Sequence, residues 1–178
     1  IGGTPEHTVT SSRPVHFVAL LGDDYPGMKP TMLVAPGDKV RCGQPVFTDK
    51  KNEGVTFTAP GSGEIIAVNR GAKRKFESLI IELDDEAGVS FCPEESNLED
   101  FSQDQLRKLL VDSGLWCALR ARPYGKIPAI DAAPSSLFIT AMDTAPLAPD
   151  VEGIIEMEKE DFVTGLKILK KAVDRPLF

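Results

Sequence analysis

The sequence predicts an α+β chain, with a small β-rich domain over residues 1–95 followed by the start of an α/β domain over residues 96–178. Three observations support this prediction. The first region is dense in glycine, proline and β-branched residues, with short apolar runs between turn signals. One pattern of residues occurs twice within it. After about residue 95 the apolar residues have the spacing of amphipathic helices, and one apolar run typical of a buried strand lies between the two predicted helices.

Short segments of the first region have the length and composition of β-strands. Turn residues separate them at the short intervals that are typical of a small barrel or sandwich. The predicted strands begin at His16, Thr31, Gln44, Val55, Gly63 and Ser78.

The repeated pattern is Val34-x-x-Gly37-x-Lys39, which recurs as Val68-x-x-Gly71-x-Lys73. Each copy predicts a strand, a tight turn that needs a glycine, and a second strand. Gly37 and Gly71 are therefore predicted to have positive φ. Since neither copy can bury its own apolar face, the two are expected to pack about a pseudo-two-fold axis.

A helix is predicted over residues 97–116, where the composition changes. Ser102 and Gln105 have the spacing of a capping box, three leucines provide one apolar face, and Gly114 is a natural stop. The apolar run over residues 135–142 predicts a buried strand.

A second helix is predicted over residues 158–173, after a proline-rich loop. Acidic residues lie at its start and lysines at its end, as the helix dipole favours. The order of strand, loop and helix predicts an α/β unit that the sequence begins but does not finish. The apolar face of this helix consists of Phe162, Leu166, Leu169 and Val173.

Bulk properties exclude several classes of function. The net charge is −7 and the pI is near 4.9, which argues against nucleic acid as the main partner. No apolar run is long enough to span a bilayer. The three cysteines are widely spaced, which favours reduced structural thiols over disulfides, metal ligands or iron–sulfur ligands. No catalytic, cofactor-binding or metal-binding residues are predicted. The start at Ile1 and the apolar end "DRPLF" suggest a piece of a longer protein.

Lys50 and Lys51 lie at the turn of a predicted hairpin over residues 47–60. Lipoyl and biotinyl carrier domains present their modified lysine in such a hairpin, whose second strand runs into an Ala-Pro-x-x-Gly turn. The segments Asp49-Lys50 and 59–63 resemble these features and imply a barrel-sandwich hybrid fold. The tip "KKNEG" is longer than a carrier's turn, and no Met or Ala follows the lysine. Covalent loading is therefore disfavoured, and solvated lysines are expected.

Two stretches are predicted to contact a partner or ligand. Residues 119–126 mix basic side chains with Tyr124 and Pro123, a combination enriched at interfaces, although an ordinary solvated turn fits equally well. The loop over residues 141–150 follows the predicted strand, where α/β proteins usually bind ligands, and a rigid turn is the alternative. The predicted contact residues are Arg120, Arg122, Tyr124, Lys126, Met142, Asp143 and Thr144.

Three long segments resemble one family. Residues 18–65, beginning "VALLGDDYPGMKP", are similar to the N-terminal part of the A subunit of the bacterial sodium-translocating NADH:quinone oxidoreductase. The strings "SGLWCALRARPYGKIPAIDA" and "ITAMDTAPLAPD" resemble the next conspicuous stretches of that protein, in the same order and spacing.

The resemblance implies a peripheral subunit on the cytoplasmic side of the bacterial inner membrane. Its partners would be the other subunits of a six-subunit complex that oxidises NADH, reduces ubiquinone and exports sodium. NADH, flavins and iron–sulfur centres are expected on those partners, and the expected role is support of quinone reduction without a catalytic centre in this chain. The alternatives are a lipoyl- or biotinyl-type carrier that uses Lys50 or Lys51, and a domain that binds ubiquinone itself.

Overall fold

The computed structural model describes residues 14–92, 96–145 and 148–178. Their contacts define two compact units. The β unit comprises residues 14–96 and 107–132, and the helical unit comprises residues 97–106 and 133–178, in both cases within the described ranges. These units do not coincide with the predicted domains 1–95 and 96–178, because residues 107–132 group with the strands. The predicted domain boundary stays a prediction.

Antiparallel strands build the β unit as two sheets, and each of the six predicted strands is present. The first sheet has the order β1-β7-β6-β3 and the second the order β2-β4-β5. The predicted strand at Thr31 ends early, at Met32, and β3 is an additional short strand. The strands are β1 Phe17–Leu21, β2 Pro30–Met32, β3 Lys39–Val40, β4 Pro45–Asp49, β5 Thr56–Thr58, β6 Gly63–Arg70 and β7 Phe76–Leu83.

The inward-facing side chains of both sheets form the core of the β unit. Phe47 of β4 is fully buried; its ring stacks on Phe57 with centroids 4.6 Å apart and meets Phe76 at 5.2 Å. Ile65 and Ile81 are also fully buried. Each large apolar side chain buried in this way contributes about 1.5–3 kcal/mol. This core fixes the frame from which the loops of the unit project.

The turns of the repeated pattern differ from each other. Gly37 has φ +93°, as predicted, but the prediction for Gly71 is wrong because its φ is −91°. Positive φ falls instead on Lys73 (+54°) and Arg74 (+61°). The Gly71 N–H donates to the Lys75 carbonyl at 2.9 Å, so these two residues close the turn. The residues with positive φ, Lys73 and Arg74, therefore lie inside the turn and not at the glycine that begins it.

The helix predicted over residues 97–116 is confirmed for its middle part, as α1, Gln103–Asp112. Short 3-10 turns, Leu98–Asp100 and Leu115–Ala118, occupy its predicted ends. Its capping box is present: Gln105 N–H donates to Ser102 Oγ at 3.3 Å, and Ser102 N–H donates to Gln105 Oε1 at 2.7 Å. Gly114, with φ +79°, follows its last turn as predicted.

The second predicted helix is α3, Lys159–Val173, and it is preceded by the short helix α2, Val151–Met157. No sequence pattern predicted α2. It begins after Asp150, whose Oδ1 accepts a hydrogen bond from Gly153 N–H at 3.3 Å. The predicted apolar face of α3 is at least partly buried.

The prediction of a buried strand over residues 135–142 is wrong. Within the described residues this segment forms only an isolated parallel bridge between Leu137 and Leu177, and Phe138 is 71% exposed. A buried parallel strand normally has neighbouring strands on both sides and is covered on both faces. Among the described residues, the segment 135–142 pairs only with the short segment 176–178, so it is not buried in this way. The order of extended segment, helices and parallel extended segment is nevertheless that of a βαβ unit.

Candidate functional site

Asp49, at the end of β4, organises the lysine hairpin. The residue is 9% exposed, and its Oδ1 accepts hydrogen bonds from the backbone N–H groups of Lys29 at 3.0 Å and Lys51 at 2.9 Å. The Lys50 N–H donates to the Lys29 carbonyl at 2.8 Å. A short carboxylate that bonds its own backbone two residues onward is a common way to fix a turn. The hairpin tip is therefore held in one conformation from its base.

The two lysines at the tip have different surroundings. Lys51 Nζ donates to the Gly27 carbonyl at 3.1 Å, whereas the exposed Lys50 side chain makes no hydrogen bond or ion pair with the described residues. Asn52 Nδ2 donates to the carbonyls of Ile127 and Pro128, both at 3.1 Å. The tip is thus tied to two segments that are distant in sequence, a feature that no local pattern could reveal.

Residues 121–126 form a tight turn that contains three of the predicted contact residues, Arg122, Tyr124 and Lys126. Ala121 N–H donates to the Lys126 carbonyl at 2.7 Å, and Gly125 N–H donates to the Ala121 carbonyl at 2.9 Å. Arg122 is exposed at this turn, and Tyr124 is 77% exposed. An arginine and a tyrosine that protrude together are the residue types that dominate binding energy at protein interfaces.

Arg120 has a different environment from its neighbours on the turn. Its guanidinium donates to the carbonyls of Cys117, of Leu119 at 3.0 Å and of Asp24 at 3.4 Å. It also lies 5.7 Å from the centroid of the Tyr25 ring. These contacts give Arg120 a structural role in the β unit, and its predicted role in contacting a partner stays a prediction.

A cleft of about 430 Å³ lies between the hairpin tip and the segment that follows the turn. Lys126 is the one predicted contact residue that lines it. The others were not predicted as contacts because the cleft brings together three segments that are distant in sequence. Asp49 and Lys51 bond the segment at 27–29, and Asn52 bonds the segment at 127–128. The lining residues are Tyr25, Pro26, Gly27, Met28, Asp49, Lys51, Asn52, Lys126, Ile127 and Ala129.

The remaining predicted contact residues, Met142, Asp143 and Thr144, belong to the helical unit and are exposed. Asp143 Oδ1 accepts a hydrogen bond from Ala145 N–H at 2.9 Å, which is the geometry of a fixed turn. Pro146 and Leu147 of the predicted loop lie outside the described residues. The seven predicted residues are therefore split between the two units, four in one and three in the other.

Burial keeps two groups of the β unit, Cys117 and Tyr25, in their protonated forms. Burial raises the pKa of the Cys117 thiol to about 12, although the positive charge of Arg120 opposes this shift. The thiol is within hydrogen-bonding distance of the Thr56 carbonyl, at 3.2 Å. Burial also raises the pKa of Tyr25. Both groups are therefore protonated at neutral pH, when the thiol is a poor nucleophile.

Two further features are absent from residues 14–92, 96–145 and 148–178, namely a cluster of metal ligands and a membrane-spanning helix. Among the described residues no three His, Cys, Asp or Glu side chains are grouped as potential metal ligands. Every helix in those ranges is too short or too polar to cross a bilayer.

Comparison with known families assigns both halves of the chain. Residues 1–84 match the family described as the NqrA N-terminal barrel-sandwich hybrid domain, and residues 101–178 match the NqrA second alpha/beta domain. The molecule is thus a barrel-sandwich hybrid domain followed by an α/β domain, as the sequence predicted. With the two matches in this order, the chain belongs to the NqrA family.

Curated relatives extend the match through the chain. The A subunit of the Na(+)-translocating NADH-quinone reductase of Hahella chejuensis is 50% identical over 181 residues, which cover 100% of this chain and 40% of that protein. Its counterpart in Glaesserella parasuis serovar 5 is 48% identical over 98% of this chain and 39% of its own length. The counterpart in Pseudomonas aeruginosa strain UCBPP-PA14 is 48% identical over 95% and 38%. The chain therefore spans about two fifths of the length of these relatives.

Proposed function

We propose that this chain is the N-terminal part of an NqrA protein that supports sodium-coupled quinone reduction as a peripheral member of a membrane complex. The single observation that carries the proposal is the 50% identity to the Hahella chejuensis protein, which extends over all of this chain. In this proposal the protein lies on the cytoplasmic side of the bacterial inner membrane. NADH, flavins and iron–sulfur centres are held by the other five subunits, and no catalytic centre lies in this chain.

The turn over residues 121–126 is the docking feature in this proposal. Arg122 and Tyr124 are exposed on a turn that backbone hydrogen bonds hold in place, so little conformational entropy is lost when they are buried by a partner. An exposed arginine–tyrosine pair on a rigid support fits a contact on another protein better than a site for chemistry.

The test uses the full-length, tagged protein expressed together with its partner subunits. Arg122→Glu combined with Tyr124→Ala should reduce recovery of the partners by about tenfold or more, since hot-spot residues each contribute about 2 kcal/mol. NADH-driven, sodium-dependent quinone reduction by the membranes should fall in parallel. Arg41→Glu, the same charge reversal at another exposed arginine of the β unit, should preserve both. Full recovery and full activity of the double variant would reject this docking feature. Failure of the wild-type protein to restore activity to membranes that lack it would reject the proposed function.

A carrier module is the second candidate, and the barrel-sandwich hybrid match together with the exposed Lys50 side chain favours it. Coexpression with a lipoate or biotin ligase followed by intact-mass measurement distinguishes the two functions. A mass increase that disappears in Lys50→Ala or Lys51→Ala would support a carrier, and an unchanged mass would reject it.

A further inference from the structure

The cleft beside the hairpin contains two positive charges that no ion pair neutralises. Lys51 and Lys126 both line it, and neither forms an ion pair with a carboxylate of the described residues. Asp49 also lines the cleft, but its Oδ1 already accepts two backbone hydrogen bonds, from Lys29 and Lys51. The charged side chains of the lining therefore sum to a net positive charge.

Both ammonium groups lie close to one glycine. Lys51 Nζ is 3.1 Å from the Gly27 carbonyl oxygen, and Lys126 Nζ is 3.9 Å from the position that a Cβ on Gly27 would occupy. Gly27 has φ +82°, a conformation that a side chain would strain. Both ammonium groups therefore lie beside the same turn, and Lys51 is bonded to its backbone.

The rest of the lining is mostly apolar. Pro26, Met28, Ile127 and Ala129 surround the two lysines, together with the ring of Tyr25. A volume of about 430 Å³ falls within the usual range of small-molecule sites. An apolar lining with a few convergent polar groups is the usual composition of such a site.

We propose that this cleft binds a small organic anion. Its phosphate or carboxylate lies between Lys51 and Lys126, and its apolar body contacts Met28 and Ile127. Lysine suits this role because its ammonium group is a compact positive charge that can pair with a phosphate or a carboxylate. Unlike the planar guanidinium of arginine, it does not require one bidentate geometry. The inference depends on Lys51 and Lys126, whereas the proposed docking feature depends on Arg122 and Tyr124. The two sites adjoin, since Lys126 Nζ lies 5.8 Å from the centroid of the Tyr124 ring.

The experiment titrates the whole chain, labelled with ¹⁵N, with phenyl phosphate and separately with benzoate. At least one of the two should shift the backbone amides of Gly27 and Lys51 in a saturable way, and the comparison identifies the preferred anion. Lys51→Gln combined with Lys126→Gln should weaken that binding by about tenfold or more, because both charge-assisted contacts are lost. Lys50→Gln removes the same charge at the neighbouring residue outside the cleft and should leave the dissociation constant unchanged.

Three results would overturn the proposal. They are the absence of saturable shifts with both probes, equal binding by the double variant and the wild type, and equal binding of the neutral analogue benzyl alcohol. Saturation by an acidic peptide alone would assign the cleft to a protein partner and would also overturn it. If the double variant does not fold, as judged by Trp116 emission, Lys126→Gln alone replaces it, since Lys126 Nζ makes no hydrogen bond within the described residues.

Discussion

The two units of this chain differ in how many large apolar side chains they bury. The β unit buries an aromatic cluster built on Phe47 and encloses the indole of Trp116, which is 3% exposed. Among the described residues of the helical unit, the buried hydrophobic side chains are Leu106, Ala172 and Val173. Both units also expose large apolar side chains, among them Phe138 and Met142 in the helical unit and Phe17 and Leu33 in the β unit. The units therefore differ in what they bury.

The difference shows which half of the chain has its own source of stability. Burial of apolar area is the dominant favourable term in folding, so the β unit has the larger driving force per residue. In the helical unit, helix caps, an ion pair and a short parallel bridge contribute a larger share of the stability. Substitutions of the same chemistry should therefore have unequal effects in the two units.

The largest expected effect comes from truncating a phenylalanine in each unit. Phe47→Ala removes a fully buried ring that contacts Phe57 and Phe76, and should cost about 3–5 kcal/mol of unfolding free energy. Phe138→Ala removes a ring that is mostly exposed and stacks on Phe178 at 5.5 Å, so it should cost less than about 1 kcal/mol.

Urea unfolding measures both variants. Trp116 is the single tryptophan and lies in the β unit, so its emission follows that unit, while the far-ultraviolet signal of the helices follows both units. A Phe138→Ala variant that loses as much stability as Phe47→Ala would show that the asymmetry between the units does not exist.

The second effect tests the base of the lysine hairpin. Asp49→Ala leaves the N–H groups of Lys29 and Lys51 without their acceptor, and should cost about 1–3 kcal/mol in the Trp116 transition. Asp38→Ala removes a carboxylate that accepts from Ala35 N–H at 2.8 Å in an exposed turn, where water can replace it. The control should therefore cost less than Asp49→Ala, and the reverse order would mean that Asp49 does not organise the hairpin.

The same contrast explains how much the sequence could predict. Strands, the capping box of α1 and the turn at Gly37 depend on residues within a few positions, and the sequence predicted them. The residues of the cleft meet because Asn52 bonds Ile127 and Pro128, and neither partner carries a local signal for that contact. Residues 135–142 have the composition of a buried strand, but burial also depends on how many strands lie beside the segment. Amino-acid composition does not reveal that number, so this prediction was wrong. The prediction for Gly71 was wrong because the repeat preserves a residue pattern without preserving turn length.

The third effect appears only at alkaline pH and should be confined to the β unit. The pKa of Cys117 rises from 9.0 to about 12 on folding because the thiol is buried. Between pH 9.0 and about 12 the Cys117 thiol has lost its proton in the unfolded chain and retains it in the folded chain. The unfolding free energy therefore falls as pH rises through this range.

The rate of thiol labelling measures the same burial. In a Cys42→Ala, Cys92→Ala background, the remaining thiol should react with a disulfide reagent at least about a hundredfold more slowly when folded than when unfolded. Similar rates in both states would contradict the burial of Cys117.

The smallest effect should come from the ion pair of the helical unit. Lys167 Nζ is 2.7 Å from Glu99 Oε1, and this hydrogen bond, followed by the charge of Lys167, lowers the pKa of Glu99. The stabilisation is therefore present above the ordinary glutamate pKa of 4.5 and is lost as pH falls through the lowered value. Because both side chains are half exposed, solvent and salt screen the pair, and Glu99→Gln should shift the helix transition only slightly. The shift should disappear in high salt and in acid. Its control is Glu156→Gln, which removes the pair between Glu156 of α2 and Lys159 at the start of α3. If the difference in unfolding free energy between wild type and Glu99→Gln persists unchanged in acid and in high salt, Glu99 contributes through packing and not through charge. The helical unit would then resemble the β unit in how it is stabilised.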